Sequence, residues 1–201
     1  MTVEEFSKES TFLSKTFSDQ DFSGISLEGK EFDDCTFKNC NFSEADFSRA
    51  SFIECEFNSC NLSLIRVDAC KFSDVSFNLC KIIGVNWSKV HWPRIMFESP
   101  IRFNQVVLND SSFYGVSLPG LIIEDSKLHN VDFRDGDFTD AKLCYCDFTG
   151  SLFQHTNLSS CDMTESSNYD INLSENTTSG AKFSRFEAIR LLDHFDIELV
   201  D

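Results

Sequence analysis

CTFKNCNFSEADFSRASFIECEF, residues 35–57, decides the fold. Phe37, Phe42, Phe47, Phe52 and Phe57 fall on every fifth residue. Two places before each stands a small residue: Cys35, Cys40, Ala45, Ala50 and Cys55. Polar residues fill most of the space between. A helix repeats every 3.6 residues and a flat strand every 2, so neither makes a period of five. A fixed short period marks a repeat architecture and has to be recognised before any other fold assignment.

The frame extends in both directions. Counted in fives from Phe12 to Phe97, every central position is Phe, Leu, Val, Ile or Trp. After a slip of one residue it resumes at Phe103 and runs through Leu108, Phe113, Leu118, Ile123, Leu128, Phe133, Phe138, Leu143, Phe148, Phe153, Leu158, Met163, Asn168, Leu173 and Thr178 to Phe183. Of the 22 Phe, only Phe6, Phe186 and Phe195 lie outside the two frames. If each five residues turn one corner of a square coil, the large central residue and the small residue two before it both point inward. The large side chains then fill the axis. The small ones let the walls close. Stacked coils exchange backbone hydrogen bonds, and about nine coils at roughly 4.8 Å spacing make a rod on the order of 40 Å long. Each coil touches only its neighbours.

NFSEADFSRASF (41–52) and DFRDGDFTDAKL (132–143) carry this pattern almost unbroken. In them the chain resembles the pentapeptide repeat family over roughly residues 12–183. The resemblance implies an all-β fold, a right-handed quadrilateral parallel β-helix of four pentapeptides per coil. The expected organisation has three parts. Residues 1–30 form an N-terminal cap with irregular first repeats, because Lys15, Gln20 and Lys30 stand where small inward residues belong. A buried polar group there is costly. Residues 31–183 form the β-helix, with a break near 92–103. Residues 184–201 form a C-terminal capping and dimerisation segment. In that segment Ser184–Glu187 reads as a capping box, Glu187–Asp193 as a short helix, and Phe195–Leu199 as strand-like alternation.

The break, VHWPRIMFESPIRF (90–103), contains Pro93 and Pro100, neither of which can donate to a ladder. Either one corner bulges or one side of the coil is replaced by a loop that bows outward. Trp92 is then either core or exposed. If the loop protrudes, His91, Trp92, Pro93, Arg94 and Glu98 are its candidate partner-binding residues, since contacts concentrate on loops held by rigid scaffolds.

The net charge is −16 at pH 7. It is banded. Residues 1–65 hold 13 acidic and 5 basic residues, 66–109 hold 3 and 6, 110–183 hold 12 and 4, and 184–201 hold 5 and 2. Asp132, Asp135, Asp137, Asp140, Asp147, Asp162 and Glu165 make up a candidate acidic surface on the second half. The nine Cys do not read as a disulfide framework. Eight occupy the small inward position, and only Cys144 does not. Buried free Cys behaves as a small hydrophobe, and an odd count without a secretion signal fits reduced thiols. Cys144 and Cys146 form a lone C-x-C, weak for zinc. The seven N-x-S/T sequons follow from the repeat itself. No signal peptide opens the chain and no apolar run has spanning length. The expectation is a soluble cytoplasmic protein.

No catalytic constellation is present. His91, His129, His155 and His194 have no ligand spacing, the eight Gly make no phosphate-cradling loop, and no cofactor or metal is expected. A rod with a filled axis offers no usual active-site pocket, so the expected protein is not an enzyme and acts through its surface. Within the family, CNLSLI (60–65), GVNW (84–87), WP (92–93), LNDSSFYG (108–115) and LLDHFDIELVD (191–201) resemble the albicidin-resistance group. That resemblance implies a DNA-mimicking homodimer that binds DNA gyrase and protects this topoisomerase from a poison. It implies no membrane and no direct nucleic-acid contact. Joining would be through the C-terminus, with Phe186, Ile189, Leu192, Phe195, Ile197 and Leu199 buried between the end coil and a second chain. The alternative is a generic interaction scaffold for an unrelated protein partner.

Overall fold

A computed structural model describes residues 8–93, 98–198 and 200. The chain forms a parallel β-solenoid of about eight turns with almost no helix. Its short strands are β1 (Thr11–Leu13), β2 (Thr16–Ser18), β3 (Glu31–Asp33), β4 (Thr36–Lys38), β5 (Ser51–Ile53), β6 (Glu56–Asn58), β7 (Lys71–Ser73), β8 (Val75–Asn78), β9 (Ile101–Asn104), β10 (Ile122–Glu124), β11 (Lys142–Cys144), β12 (Asp162–Met163) and β13 (Lys182–Phe183). Every pairing is parallel, and each residue generally meets the one twenty positions on, as Phe12 meets Phe32 and Phe17 meets Phe37. Twenty residues therefore make one coil of four faces. β1, β3, β5 and β7 form the first face, and the other nine strands form the second along the whole rod. The third and fourth faces are held by single bridges such as Asp21 to Asn41 and Ser26 to Asp46.

The central residues are buried as the period predicts. Phe12, Phe32, Phe52 and Phe72 stack on the first face with centroids 4.8, 4.9 and 5.5 Å apart. Phe17, Phe37, Phe57, Phe77 and Phe103 stack on the second at 5.0, 4.6, 5.0 and 5.2 Å. Neighbouring columns meet edge to face, as Phe37 and Phe42 do at 80°. The eight inward Cys are buried and all nine thiols are free. Each of Cys40, Cys60 and Cys80 donates its thiol to a carbonyl in the coil before, 3.3–3.5 Å away. Burial pushes the Cys146 thiol up to about 12, so it stays protonated at neutral pH. Past the break, Ser takes several of these places. Ser111 donates to the Ile82 carbonyl at 3.1 Å and accepts from the Val85 N–H at 3.1 Å.

Corners have their own rule. The residue two after most central positions adopts φ near +50 to +70°, Lys89 after Trp87 being an exception. On the third and fourth faces the turn closes with a bond from i+3 back to i, as from Ala45 to Phe42 at 2.9 Å. Positive φ at the third residue with that bond is the type II pattern. Asn or Asp before the central residue accepts from the N–H two places on: Asn41 from Ser43 at 3.2 Å, Asp46 from Ser48 at 3.0 Å. The following Ser or Thr hydroxyl often donates to the same oxygen, as Ser63 does to Asn61 at 2.8 Å. The sequon spacing is thus a series of Asx turns.

Three expectations need correction. Of Lys15, Gln20 and Lys30, only Lys30 is buried. Its ammonium bonds the Glu9 carbonyl and lies 5.9 Å from the Phe12 ring centroid, so the polar head is satisfied. The first coil pairs in full register with the second. Second, the break is not a one-residue slip. Phe77 pairs with Phe103, twenty-six residues on, so this coil carries six extra residues. His91 still bonds the Cys70 carbonyl in register at 2.8 Å. The ladder resumes at Pro100, whose carbonyl accepts from Val75 at 3.0 Å. This is the loop alternative, not the bulge. Third, Asn168 is not a core residue. Tyr169 is fully buried in its stead, and Ile171 bridges Phe153 eighteen residues back.

Phe52 is 1% exposed and stacked on both sides. Phe52→Ala should cost about 3–5 kcal/mol, read as a lower midpoint in urea unfolding. An unchanged midpoint would mean the column adds nothing.

Candidate interaction surfaces

The acidic residues of the second half fall into two structural classes. Asp132, Asp137, Asp147 and Asp162 precede central residues, are half-buried, and serve as Asx acceptors. Asp135, Asp140 and Glu165 sit at corners with positive φ and are exposed. Asp147 is the most engaged. It accepts from the Thr149 N–H and hydroxyl at 3.1 and 2.7 Å, from Asn168 at 2.9 Å, and contacts His129 Nε2 at 2.8 Å. Burial alone would raise its carboxyl, but the bonds from Thr149, Asn168 and His129 outweigh it and hold the group well below the usual range. Asp162 is lowered to about 2, chiefly by the Thr164 hydroxyl, with burial opposing and Lys182 helping. Asp132 is lowered by Arg134, which grips it at 2.9 and 2.8 Å. These three carboxylates do not simply face water.

The first half has its own acidic edge, which composition alone did not single out. Asp34, Glu54 and Asp74 are exposed corner residues twenty apart on one corner of the rod. Ser14 donates to Asp34 at 2.8 Å, and Asp74 pairs with Arg102 at 2.8 Å.

Around the break, His91, Pro93 and Glu98 are exposed, and Arg94 lies outside the described residues. Glu98 is 3.8 Å from Arg102. Trp92 is half-buried. Its Nε1 donates to the Trp87 carbonyl at 3.1 Å, and its ring lies 6.4 Å from Trp87 and 6.3 Å from Phe72. It therefore plugs the axis below Phe72 rather than projecting. Between this loop and β5–β7 lies a hollow of about 700 Å³ bordered by Ile53, Phe72, Asp74, His91, Pro93 and Arg102. Among the described residues no group of three or more His, Cys, Asp or Glu could hold a metal ion, and none of their helices is long and apolar enough to cross a membrane.

At the C-terminus the helix is a 3-10 segment, Glu187–Leu192. Its capping box does not form. The cap position is Phe186, without a side-chain bond. Ser184 instead donates to Glu165 at 2.8 Å, and Glu187 accepts from the Asn168 N–H at 2.7 Å. No strand forms over the described part of 195–199, and Leu199 is outside the described residues. Leu191 is buried and Ala188 packs against the core, so these two cover the last coil within the chain. Phe186 (91% exposed), Ile189, Leu192, Phe195 and Ile197 face outward from the single chain.

This is a non-globular, charged solenoid whose chemistry lies on its faces. The chain belongs to the pentapeptide repeat family. The pentapeptide repeat region matches residues 30–100 and the eight-copy pentapeptide repeats match residues 137–167. Neither match is to a catalytic family. No curated protein matches the chain. Among solved structures, a trypsin-treated form of QnrB1, a plasmid-mediated fluoroquinolone resistance protein, aligns with TM-score 0.61 and 23% identity over 94% of this chain and 90% of that one. A second trypsin-treated form of QnrB1 aligns with TM-score 0.61 and 20% identity over 94% and 100%. These likenesses establish the shared fold.

Protonating the lowered carboxylates removes what they stabilise. A depressed folded-state pKa contributes stability above the unfolded value near 3.9 and loses it as pH falls toward the folded value. Melting temperature should therefore drop between about pH 5 and pH 2, and Asp162→Asn should flatten that drop while lowering the melt at pH 7. A variant with the parent's pH profile would remove Asp162 from the balance.

Proposed function

We propose that the protein is a DNA-mimicking ligand of DNA gyrase that protects the enzyme from a topoisomerase poison, as resistance or self-immunity, and that it acts without catalysis. The observation that carries this is the corner geometry. Exposed carboxylates recur once per coil along one edge of a stiff rod, at Asp34, Glu54 and Asp74, and further ones stand at Asp110, Asp125, Asp135, Asp140 and Glu165. Duplex DNA is likewise a rod of regularly spaced negative charge, about one per 1.7 Å of axis over both strands. A rod with net charge −16 suits a positively charged DNA-binding surface. QnrB1, which shares the fold, is named as a fluoroquinolone resistance protein, and this supports the resistance reading without naming the drug. The reading places the protein with gyrase in the cytoplasm.

The same reading includes a homodimer. The outward row Phe186, Ile189, Leu192, Phe195 and Ile197 is apolar and exposed. A head-on twofold contact would bury it and close on itself, doubling the acidic rod. Phe186→Ser with Phe195→Ser should leave the fold intact, since neither side chain is buried. Sedimentation should then show a monomer. A dimer that survives both changes would rule this contact out.

The functional test is gyrase supercoiling with and without a poison, titrated with the protein. Relief of poisoning is expected, with affinity falling steeply as salt rises, because exposed charges are screened over roughly 8–10 Å at ordinary ionic strength. Asp135→Asn with Asp140→Asn should slow association and flatten the salt dependence while the melt stays unchanged. Full affinity for this variant at every salt concentration would exclude mimicry. No gyrase binding by the parent would favour a scaffold for another protein.

A further inference from the structure

The rod ends by replacing one kind of oxygen with another. Along the corner between the second and third faces, N–H groups reach a carbonyl nineteen residues on: Asp125 reaches Cys144 at 3.2 Å and Tyr145 reaches Thr164 at 3.1 Å. The next N–H in that line, of Glu165, meets the Ser184 hydroxyl at 2.7 Å. The third face does the same. Leu128 donates to the Asp147 carbonyl at 2.8 Å and Phe148 to that of Ser167 at 3.0 Å, and then Asn168 donates to Glu187 Oε1 at 2.7 Å. Both side-chain oxygens again belong to the residue nineteen places on. They stand where the main-chain carbonyls of a further coil would stand. An open sheet edge offers unpaired donors to any strand, and these two donors are closed.

The segment that supplies them is held by further polar bonds. Arg190 pairs with Glu187 at 2.5 Å and donates to the Asn168 side-chain carbonyl at 3.3 Å. His194 Nε2 meets Asp170 Oδ1 at 2.6 Å. Among the described residues no other side chain of 193–198 has a hydrogen bond or ion pair to the rod. Apolar burial is thin. Leu191 alone of the segment is buried, with Ala188 packed beside the core. A 3-10 run of six residues has poor hydrogen-bond geometry of its own, and ordering it costs backbone entropy at every residue. One leucine does not offset that, so the polar bonds hold the segment. They also alternate with the apolar row. Glu187 lies between Phe186 and Ile189, Arg190 between Ile189 and Leu192, and His194 between Leu192 and Phe195.

We infer that Glu187, Arg190 and His194 are positioning residues for the homodimer. They form a clamp that fixes the row Phe186, Ile189, Leu192, Phe195 and Ile197 on the end of the rod, in the arrangement that receives a second copy of the chain. This rests on the homodimer reading given above and adds which residues govern it. The physical gain is preorganisation. A row on a loose tail would lose the freedom of its backbone and rotamers at the moment of docking. A row already pinned to the last coil has lost that freedom on folding. The clamp works through partners in its own chain, Asn168 and Asp170. A twofold contact presents the same patch on both copies, so one fixed arrangement serves both sides of the interface.

The test combines sedimentation of the full chain with amide hydrogen exchange. His194→Ala and Glu187→Ala should each weaken dimerisation roughly tenfold. His194→Gln keeps a donor near the Nε2 position, and Glu187→Gln keeps the acceptor for the Asn168 N–H, so both should recover most of the parent's affinity. A second comparison uses the Phe186→Ser, Phe195→Ser background, which lacks the dimer contact. There His194→Ala should leave the melt unchanged, because an exposed pair adds little to stability. The amides of Asp193, Phe195 and Ile197, which bond within the segment, should exchange roughly tenfold faster as it opens locally. The inference is overturned by Ala variants that dimerise like the parent, by Gln variants as weak as the Ala variants, or by unchanged exchange in His194→Ala. A marked fall of the melt in that background would overturn it too, because His194 would then serve the fold. A parent that sediments as a monomer at every concentration overturns the homodimer reading and this role with it. A dimeric parent with unaffected Ala variants overturns the role alone. None of these outcomes depends on gyrase.

Discussion

The structure depends on a match between two spacings. Parallel backbone ladders hold successive coils roughly 4.8 Å apart. Aromatic rings of the same column stack at 4.6 to 5.5 Å. A flat ring above a flat ring fills that rise without gap or overlap, and neighbouring columns close edge to face. Phe fills most central positions of the first two faces before the break, and Leu, Ile and Val share the rest of the buried axis. The small inward residue is the counterpart. Its thiol, methyl or hydroxyl leaves room for the ring of the next face, and Cys and Ser also tie to a carbonyl in the coil before.

Departures from the match occur in two places, and aromatic residues repair both. At the break six extra residues interrupt the first-face sheet, which stops at β7. Trp87 continues its column onto Phe113 at 5.7 Å, and Trp92 packs against Phe72 and Trp87. Near the end the register shortens locally, Phe153 bridging Ile171 eighteen residues on before Asn157 meets Thr177 at the usual twenty, and Tyr169 fills the axis there beside Phe183 at 5.4 Å. Its hydroxyl, like the indole N–H of Trp87 at the break, is buried without a partner among the described residues, so each departure leaves one polar group unsatisfied. The second-face sheet runs through both places without interruption. The rod is thus one continuous wall with three more adaptable ones.

The period was legible because it is written in inward residues, whose size has few alternatives. Phe52 could be assigned from Phe47 and Phe57 alone. The end of the rod was not legible in the same way. Ser184 and Glu187 have capping-box spacing, yet both bond across to the previous coil, at Glu165 and Asn168. Local pattern cannot foresee a tertiary partner that satisfies the same group. Leu191 was missed as the cover of the last coil for a related reason. The apolar residues around it look equivalent in sequence, and only the placement of the 3-10 segment chooses which of them points inward. At the break the sequence leaves a bulge and an outward loop both open, because Phe97 keeps the count of five and only the step to Phe103 is long by one. The paired register, Phe77 with Phe103, gives six.

The surface was the hardest to read, and the reason is positional. A residue just before a central position is engaged by the turn, so an Asp there is first a hydrogen-bond acceptor. Asp147 and Asp162 carry charge, but their oxygens are already spoken for by Thr149, Asn168, Thr164 and Lys182. A residue two after the central position is engaged in the turn only through its φ, even where its side chain meets a neighbouring corner, as Asp34 meets Ser14. Its side chain is left to solvent, as at Asp34, Asp135 and Asp140. Equal acidic counts in two stretches can therefore mean different amounts of available charge. The same division holds at the end of the rod. Ser184 and Glu187 are engaged by the N–H groups of Glu165 and Asn168, and Phe186 between them is left to solvent. On such a rod, a side chain that the fold does not use is the place to look for a partner.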